Sequence, residues 1–165
     1  MPDTQGVTFV PSLFGLRAPH NHNKSKGAFI GLTTAVGRPH LVRAVLESVA
    51  WRLFELLQCI NTGSTKVKSV RIGGGVAHND FVCQFLADVT GMSVHRGQNV
   101  EVTVTGAAIL AGIACGWFQW TPEGKSELRK LTQGQDTVFL PKMNRDEVGK
   151  RFMLWTDACD RVKMQ

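Results

Sequence analysis

The chain has 165 residues, 43% hydrophobic and 19% charged, which excludes a disordered or fibrous protein and suits one globular domain. Nineteen Lys and Arg against 13 Asp and Glu give a net charge of +6, but the basic residues are scattered and Tyr is absent, so the charge reads as solvated surface, not as a nucleic-acid interface. The longest mostly apolar run, residues 106–118, is too short to span a bilayer.

The first extended segment is Gly6-Val7-Thr8-Phe9-Val10, stopped by Pro11. A polar loop follows, with His20 and His22 two residues apart. On extended backbone that spacing puts both imidazoles on one side. No third ligand is visible nearby, so the loop reads as solvated and no metal ligand is assigned. Gly27-Ala28-Phe29-Ile30-Gly31-Leu32 is apolar throughout and reads as a central strand.

From Pro39 the period changes. Leu41, Ala44, Val45, Ser48, Val49, Leu53, Leu56, Leu57 and Ile60 recur at three and four residues, one apolar face of a long helix. Pro39 suits its first turn, His40 is a first-turn residue, and Gly63 is a natural C-terminal cap. Glu47 and Glu55 read as helix-surface acids.

Residues 67–72 read as a strand that runs into Gly73-Gly74-Gly75 and then a helix. Glycine admits φ > 0 and close approach of another group, and the helix start offers unpaired N–H groups. Such a turn suits a flat polar ligand; taken alone it equally fits a plain tight turn. Phe81, Val82, Phe85, Leu86 and Val89 mark the helix, which Gly91 ends. Residues 92–95 form a short strand. Thr103 or Thr105 would cap a helix over 106–117, whose Gly and Ala content suggests tight burial against a neighbour. A short helix is expected over 126–131, an extended piece over 136–141, and a last amphipathic helix over 146–163 carrying Val148, Phe152, Trp155, Ala158, Cys159 and Val162.

The four cysteines, Cys59, Cys83, Cys115 and Cys159, are far apart and form no C-x-x-C, so zinc and redox motifs lack support. They read as buried, reduced thiols of a cytoplasmic protein, and no signal peptide precedes the first strand. The alternation of strands and helices predicts an α/β domain, its mixed or parallel sheet covered by helices. Ligands of such sheets sit at the carboxyl ends of strands, which is where the glycine turn lies.

Four motifs in this order resemble those of the FGGY carbohydrate kinases, glycerol kinases in particular. They are the segment from Gly6 to Ser12 with Gly15-Leu16-Arg17-Ala18-Pro19; Gly27-Ala28-Phe29-Ile30-Gly31-Leu32 followed by His40-Leu41-Val42-Arg43-Ala44-Val45-Leu46-Glu47; Gly74-Gly75-Val76-Ala77-His78-Asn79; and Glu101-Val102-Thr103-Val104-Thr105-Gly106-Ala107-Ala108 through Phe118. The resemblance covers 6–118, as the core of the family's C-terminal domain, and weakly 119–165, as a helical extension of it. It implies a ribonuclease-H-like fold of the actin, hexokinase and Hsp70 superfamily. It also implies ATP-dependent phosphorylation of glycerol to glycerol 3-phosphate by a two-domain parent.

In that family ATP binds mainly to the C-terminal domain and glycerol to the other. Glycerol contacts, the catalytic aspartate and the phosphate loops correspond to segments upstream of this chain. The resemblance therefore implies an ATP- or ADP-binding portion, inactive alone, with Gly75, its neighbour Gly74 and Asn79 touching the adenine nucleotide. Mg²⁺ would be held through the nucleotide. Glycerol or a similar polyol would bind only together with the N-terminal domain. No catalytic residue is assigned: Asp80, Asp88 and Glu101 each have a simpler helix-end or surface role. Asn79 also suits a plain N-cap. Gly73 stands where the family usually has Asp, which removes a carboxylate and predicts a looser turn. The alternative is a non-catalytic module that docks to a partner subunit or to its own copy. A nucleic-acid binder is disfavoured, because the acidic cluster that a nuclease of this fold needs is missing.

Overall fold

The structure is a computed structural model that describes residues 3–61, 66–121, 123–124, 128 and 134–164. Strands β1 (Thr8–Val10) and β2 (Ala28–Ile30) pair antiparallel, Phe9 opposite Phe29. Helix α1 (Arg38–Ile60) follows, then β3 (Ser69–Ile72), a 3₁₀ turn (Gly75–His78) and α2 (Asp80–Thr90). The chain continues through β4 (Ser93–Arg96), α3 (Val102–Ala114), β5 (Thr137–Phe139) and α4 (Arg145–Lys163). A second sheet has the order β3-β4-β5, with β3 and β4 parallel and β5 antiparallel to β4. It is a mixed α/β architecture, and its three-stranded part turns Val70, Ile72 and Val94 toward the helices. The expected cap Gly63 and most of the expected 126–131 helix lie outside the described residues.

The core sits between α1, α2 and α4. Trp51 meets Phe85 edge-on at 5.5 Å, and Phe54 meets Phe152 at 4.9 Å, the tilted geometry aromatic quadrupoles favour. Trp155, Val162, Leu86 and Val89 are almost wholly enclosed. The last helix buries Val148, Trp155, Ala158, Cys159 and Val162, the positions its periodicity predicts. Gly91 ends α2 at φ 69°, the left-handed conformation that a C-terminal cap needs.

Several expectations are corrected. Strand β2 is not central; β1 is its one partner among the described residues. In α1 the buried face runs through Ala44, Glu47, Ser48, Trp51, Phe54 and Glu55, while Val45, Val49, Leu56 and Ile60 stay exposed. The helix is apolar on two sides, and the side carrying the aromatics packs. Glu47 and Glu55 are therefore buried, not surface acids. Each is matched by arginine: Arg43 and Arg151 hold Glu47 at 2.7 and 2.6 Å, and Arg52 holds Glu55 at 2.7 Å. A carboxylate can stay in a core when its charge and lone pairs are met in this way. Of the thiols only Cys83 and Cys159 are buried; Cys59 and Cys115 are exposed at the ends of α1 and α3, and no disulfide forms. Helix α3 begins at Val102, earlier than expected, and buries only Gly112. Apolar composition predicted a buried helix, but no element covers it among the described residues.

Candidate functional site

Strands β3 and β4 run parallel, so their carboxyl ends open on the same edge. From that edge rise residues 73–79 and residues 97–101, and α3 starts beside them. The Gly74 N–H donates to the Val100 carbonyl at 2.6 Å, joining the two loops. Gly74 takes φ 85°, a conformation that glycine adopts without strain. A Cβ added at Gly74 or at Gly75 would meet nothing within 4 Å, so both face open space. Gly73 differs: its Cβ would lie 2.7 Å from both Val102 methyls. Gly73 is thus where α3 presses on the turn. The turn is pinned at both its first glycines, not loosened, and a carboxylate at 73 would have to displace Val102.

Asn79 caps α2. Its Oδ1 accepts from the N–H groups of Phe81 at 3.0 Å and Val82 at 3.3 Å. Both lone pairs are thereby committed, and the Nδ2 group is what remains to donate to a ligand. Sequence reasoning missed Arg96. Its guanidinium donates to Ala77 O at 2.9 Å and Asp80 Oδ1 at 2.6 Å and lies over the Phe139 ring, holding the floor of the turn to β4. A basic residue at the end of the neighbouring strand was the available signal. Burial pushes the Cys83 thiol up from its ordinary value, with Arg96 opposing the shift, and that thiol donates to Ala77 O. Asn99 was missed too; it accepts from Glu101 N and donates to Thr105, shaping the second loop.

The carboxylates noted in the sequence are placed as follows. Asp80 is exposed and paired with Arg96. Asp88 is buried and accepts from Lys142 N at 2.7 Å, tying α2 to the approach of α4. Glu101 precedes α3 with no side-chain cap, and neither Thr103 nor Thr105 is the N-cap. Among the described residues, none of the three hydrogen-bonds to the open glycines. The histidines separate: His22 Nδ1 meets Ser25 Oγ at 2.7 Å, while His20 Nε2 meets Glu55 at 2.8 Å. A groove lined by Arg38, Pro39, Val42, Arg43, Leu46 and Phe81 opens between the start of α1 and the start of α2.

The sequence pattern of the FGGY family of carbohydrate kinases, C-terminal domain, matches residues 1–115. The chain belongs to this family. Glycerol kinase of Rippkaea orientalis is 41% identical over 162 residues, which are 98% of this chain and 31% of that protein. Glycerol kinase 2 of Thermotoga maritima is 38% identical, over 98% of this chain and 32% of its own. Among solved structures, Plasmodium falciparum glycerol kinase with ADP superposes with a TM-score of 0.81 at 30% identity, over 100% of this chain and 32% of that one. Gluconate kinase from Lactobacillus acidophilus gives 0.72 at 26%, over 97% and 32%. This FGGY domain has the ribonuclease-H-like α/β fold of those kinases, and it spans just under a third of its relatives' length. Among its described residues no helix is long and apolar enough to cross a membrane.

Proposed function

We propose that this FGGY domain supplies the adenine-nucleotide side of a glycerol-kinase-type active site. The observation that carries the reading is the open pair Gly74 and Gly75 at the carboxyl end of a parallel strand, next to the amide of Asn79. A purine can lie flat on backbone that has no Cβ, and the Asn79 Nδ2 group can donate to its edge. The glycerol kinase with ADP is the relative that supports this choice of ligand. ATP, when bound, would bring the phosphoryl group, with Mg²⁺ held on its phosphates. The residues of this chain would bind and orient the base. Asp80 is occupied by Arg96, so it is assigned neither to metal nor to proton transfer. A base for the glycerol hydroxyl and a facing wall that excludes water would come from residues outside this chain.

ADP titrated into the 165-residue chain is expected to bind at micromolar Kd, and Gly75→Val is expected to weaken it at least tenfold by filling the open space (roughly 1.4 kcal/mol). Glycerol and ATP together should give no turnover. Equal binding by Gly75→Val would remove the turn from the site; turnover by the chain alone would remove the claim that it is half of one.

A second reading is favoured by exposure. Val104, Leu110 and Trp117 are 67%, 69% and 80% exposed along and just after α3. Such a surface suits a module that docks to a partner subunit. Sedimentation separates the readings: association without nucleotide binding supports the second.

A further inference from the structure

The geometry points to a zinc-type metal site made by His20, Glu55 and Cys159, independent of the nucleotide turn. The three residues come from the β1–β2 loop, the last third of α1 and the last third of α4. One ligand atom from each, an imidazole nitrogen, a carboxylate oxygen and the thiol sulfur, lies within 4.8 Å of the other two. His20 Nε2 is 2.8 Å from Glu55 Oε1. The His20 and Glu55 side chains are 12% and 5% exposed and Cys159 is fully buried. Nitrogen, oxygen and sulfur donors thus converge in a nearly dry place, with His20 the most exposed of the three.

The donor set decides the class of ion. Thiolate and imidazole suit zinc and its first-row neighbours and do not suit Mg²⁺ or Ca²⁺. In a tetrahedral zinc site with bonds of about 2.0–2.3 Å, ligand atoms lie about 3.3–3.8 Å apart. Here the His20 and Glu55 atoms are 2.8 Å apart and no pair of the three exceeds 4.8 Å, so small side-chain rotations can close the set around an ion. Arg52 sets the geometry. It donates to Glu55 Oε2 at 2.7 Å and to Ala18 O at 2.7 Å, so one carboxylate oxygen is held and Oε1 faces His20.

The charges balance as well. Carboxylate and thiolate face the divalent ion, and the Arg52 guanidinium sits behind the carboxylate. Binding forms a sulfur–metal bond and breaks the S–H bond, releasing that proton to solvent. His20 ligates through Nε2, so its hydrogen bond to Glu55 Oε1 breaks and the ring proton moves from Nε2 to Nδ1. Three protein ligands leave a fourth position for water or an outside donor. The bound ion would staple the loop, α1 and α4, and so stabilise the folded domain by mass action.

The test uses the reduced 165-residue chain with Co²⁺ as a spectroscopic stand-in. One Co²⁺ per chain is expected, with a sulfur-to-cobalt charge-transfer band and the d–d bands of a four-coordinate ion. Zinc should displace it and Mg²⁺ should not. Cys159→Ser should abolish the charge-transfer band, while the Cys59→Ser/Cys115→Ser double variant keeps it. His20→Gln should weaken binding at least about tenfold with an unchanged far-ultraviolet spectrum. Zinc should raise the Tm of the parent chain. A parent chain without a charge-transfer band overturns the proposal, and so does a band that survives Cys159→Ser. Should Cys159→Ser not fold, the parent and His20→Gln titrations decide alone.

Discussion

Helices α2 and α3 flank the same glycine turn and are both rich in apolar residues, yet they end in opposite environments. Helix α2 buries eight of its residues, Asp88 and Thr90 included, between α1, α4 and the sheet. Helix α3 buries Gly112 alone. The difference is one of partners, not of composition. Apolar surface gains free energy only where something covers it, and a polar group is tolerated inside once its hydrogen bonds are met. Asp88 accepts from Gln84 and from the backbone ahead of α4, which is what lets an acid sit within α2. The open glycines lie on the boundary between the two environments, with a firm floor through Arg96, α3 pressing on the neighbouring Gly73, and open space over Gly74 and Gly75.

The strongest way to break the contrast is to empty the covered side. Trp155 is 1% exposed and packs among α1, α4 and β1. Trp155→Ala is expected to cost about 3–5 kcal/mol in urea unfolding. Trp155→Phe should cost far less. Among the described residues the indole Nε1–H has no hydrogen-bond partner, so its removal takes away a buried unsatisfied donor along with some packing. Equal losses in the two variants would mean that the indole nitrogen, not the ring volume, holds the site.

What was legible in the sequence follows the same division. Helices α2 and α4 read correctly because one stripe of each is strongly apolar and that stripe is the one buried, and Gly91 ended α2 as a left-handed cap should. Helix α1 misled because it carries two apolar stripes, and periodicity does not say which one Trp51 and Phe54 will take inward. Its acids misled because Glu47 depends on Arg151, 104 residues away, a pairing that no local pattern contains. At the candidate site, the glycines and Asn79 were legible through local turn and cap chemistry. Arg96 and the pressure of Val102 on Gly73 were not, because they join the ends of two strands that are neighbours only in space.

That contact between Gly73 and Val102 gives an intermediate effect. Gly73→Asp restores the residue type expected of the family, yet its Cβ would stand 2.7 Å from both Val102 methyls. Overpacking of this kind costs about 1–3 kcal/mol. Gly73→Asp should therefore destabilise the chain, and Val102→Ala added to it should recover most of the loss. Val102 is 52% exposed, so Val102→Ala alone should cost little. A Gly73→Asp chain as stable as the parent in urea would show that α3 moves aside freely and exerts no pressure on the turn.

The smallest effect is expected on the uncovered side. Leu110 is 69% exposed in the middle of α3. It loses almost no apolar contact when replaced, and Gln has nearly the helix propensity of Leu. Leu110→Gln should leave the unfolding free energy within about 0.5 kcal/mol of the parent. The same variant should lower any self-association seen by sedimentation, since it removes apolar area from the exposed face and nothing from the core. A loss above about 1 kcal/mol would mean that α3 has a partner within this chain. The glycine turn would then be walled on both sides, and the reading of its open face as one half of a site would fail with it.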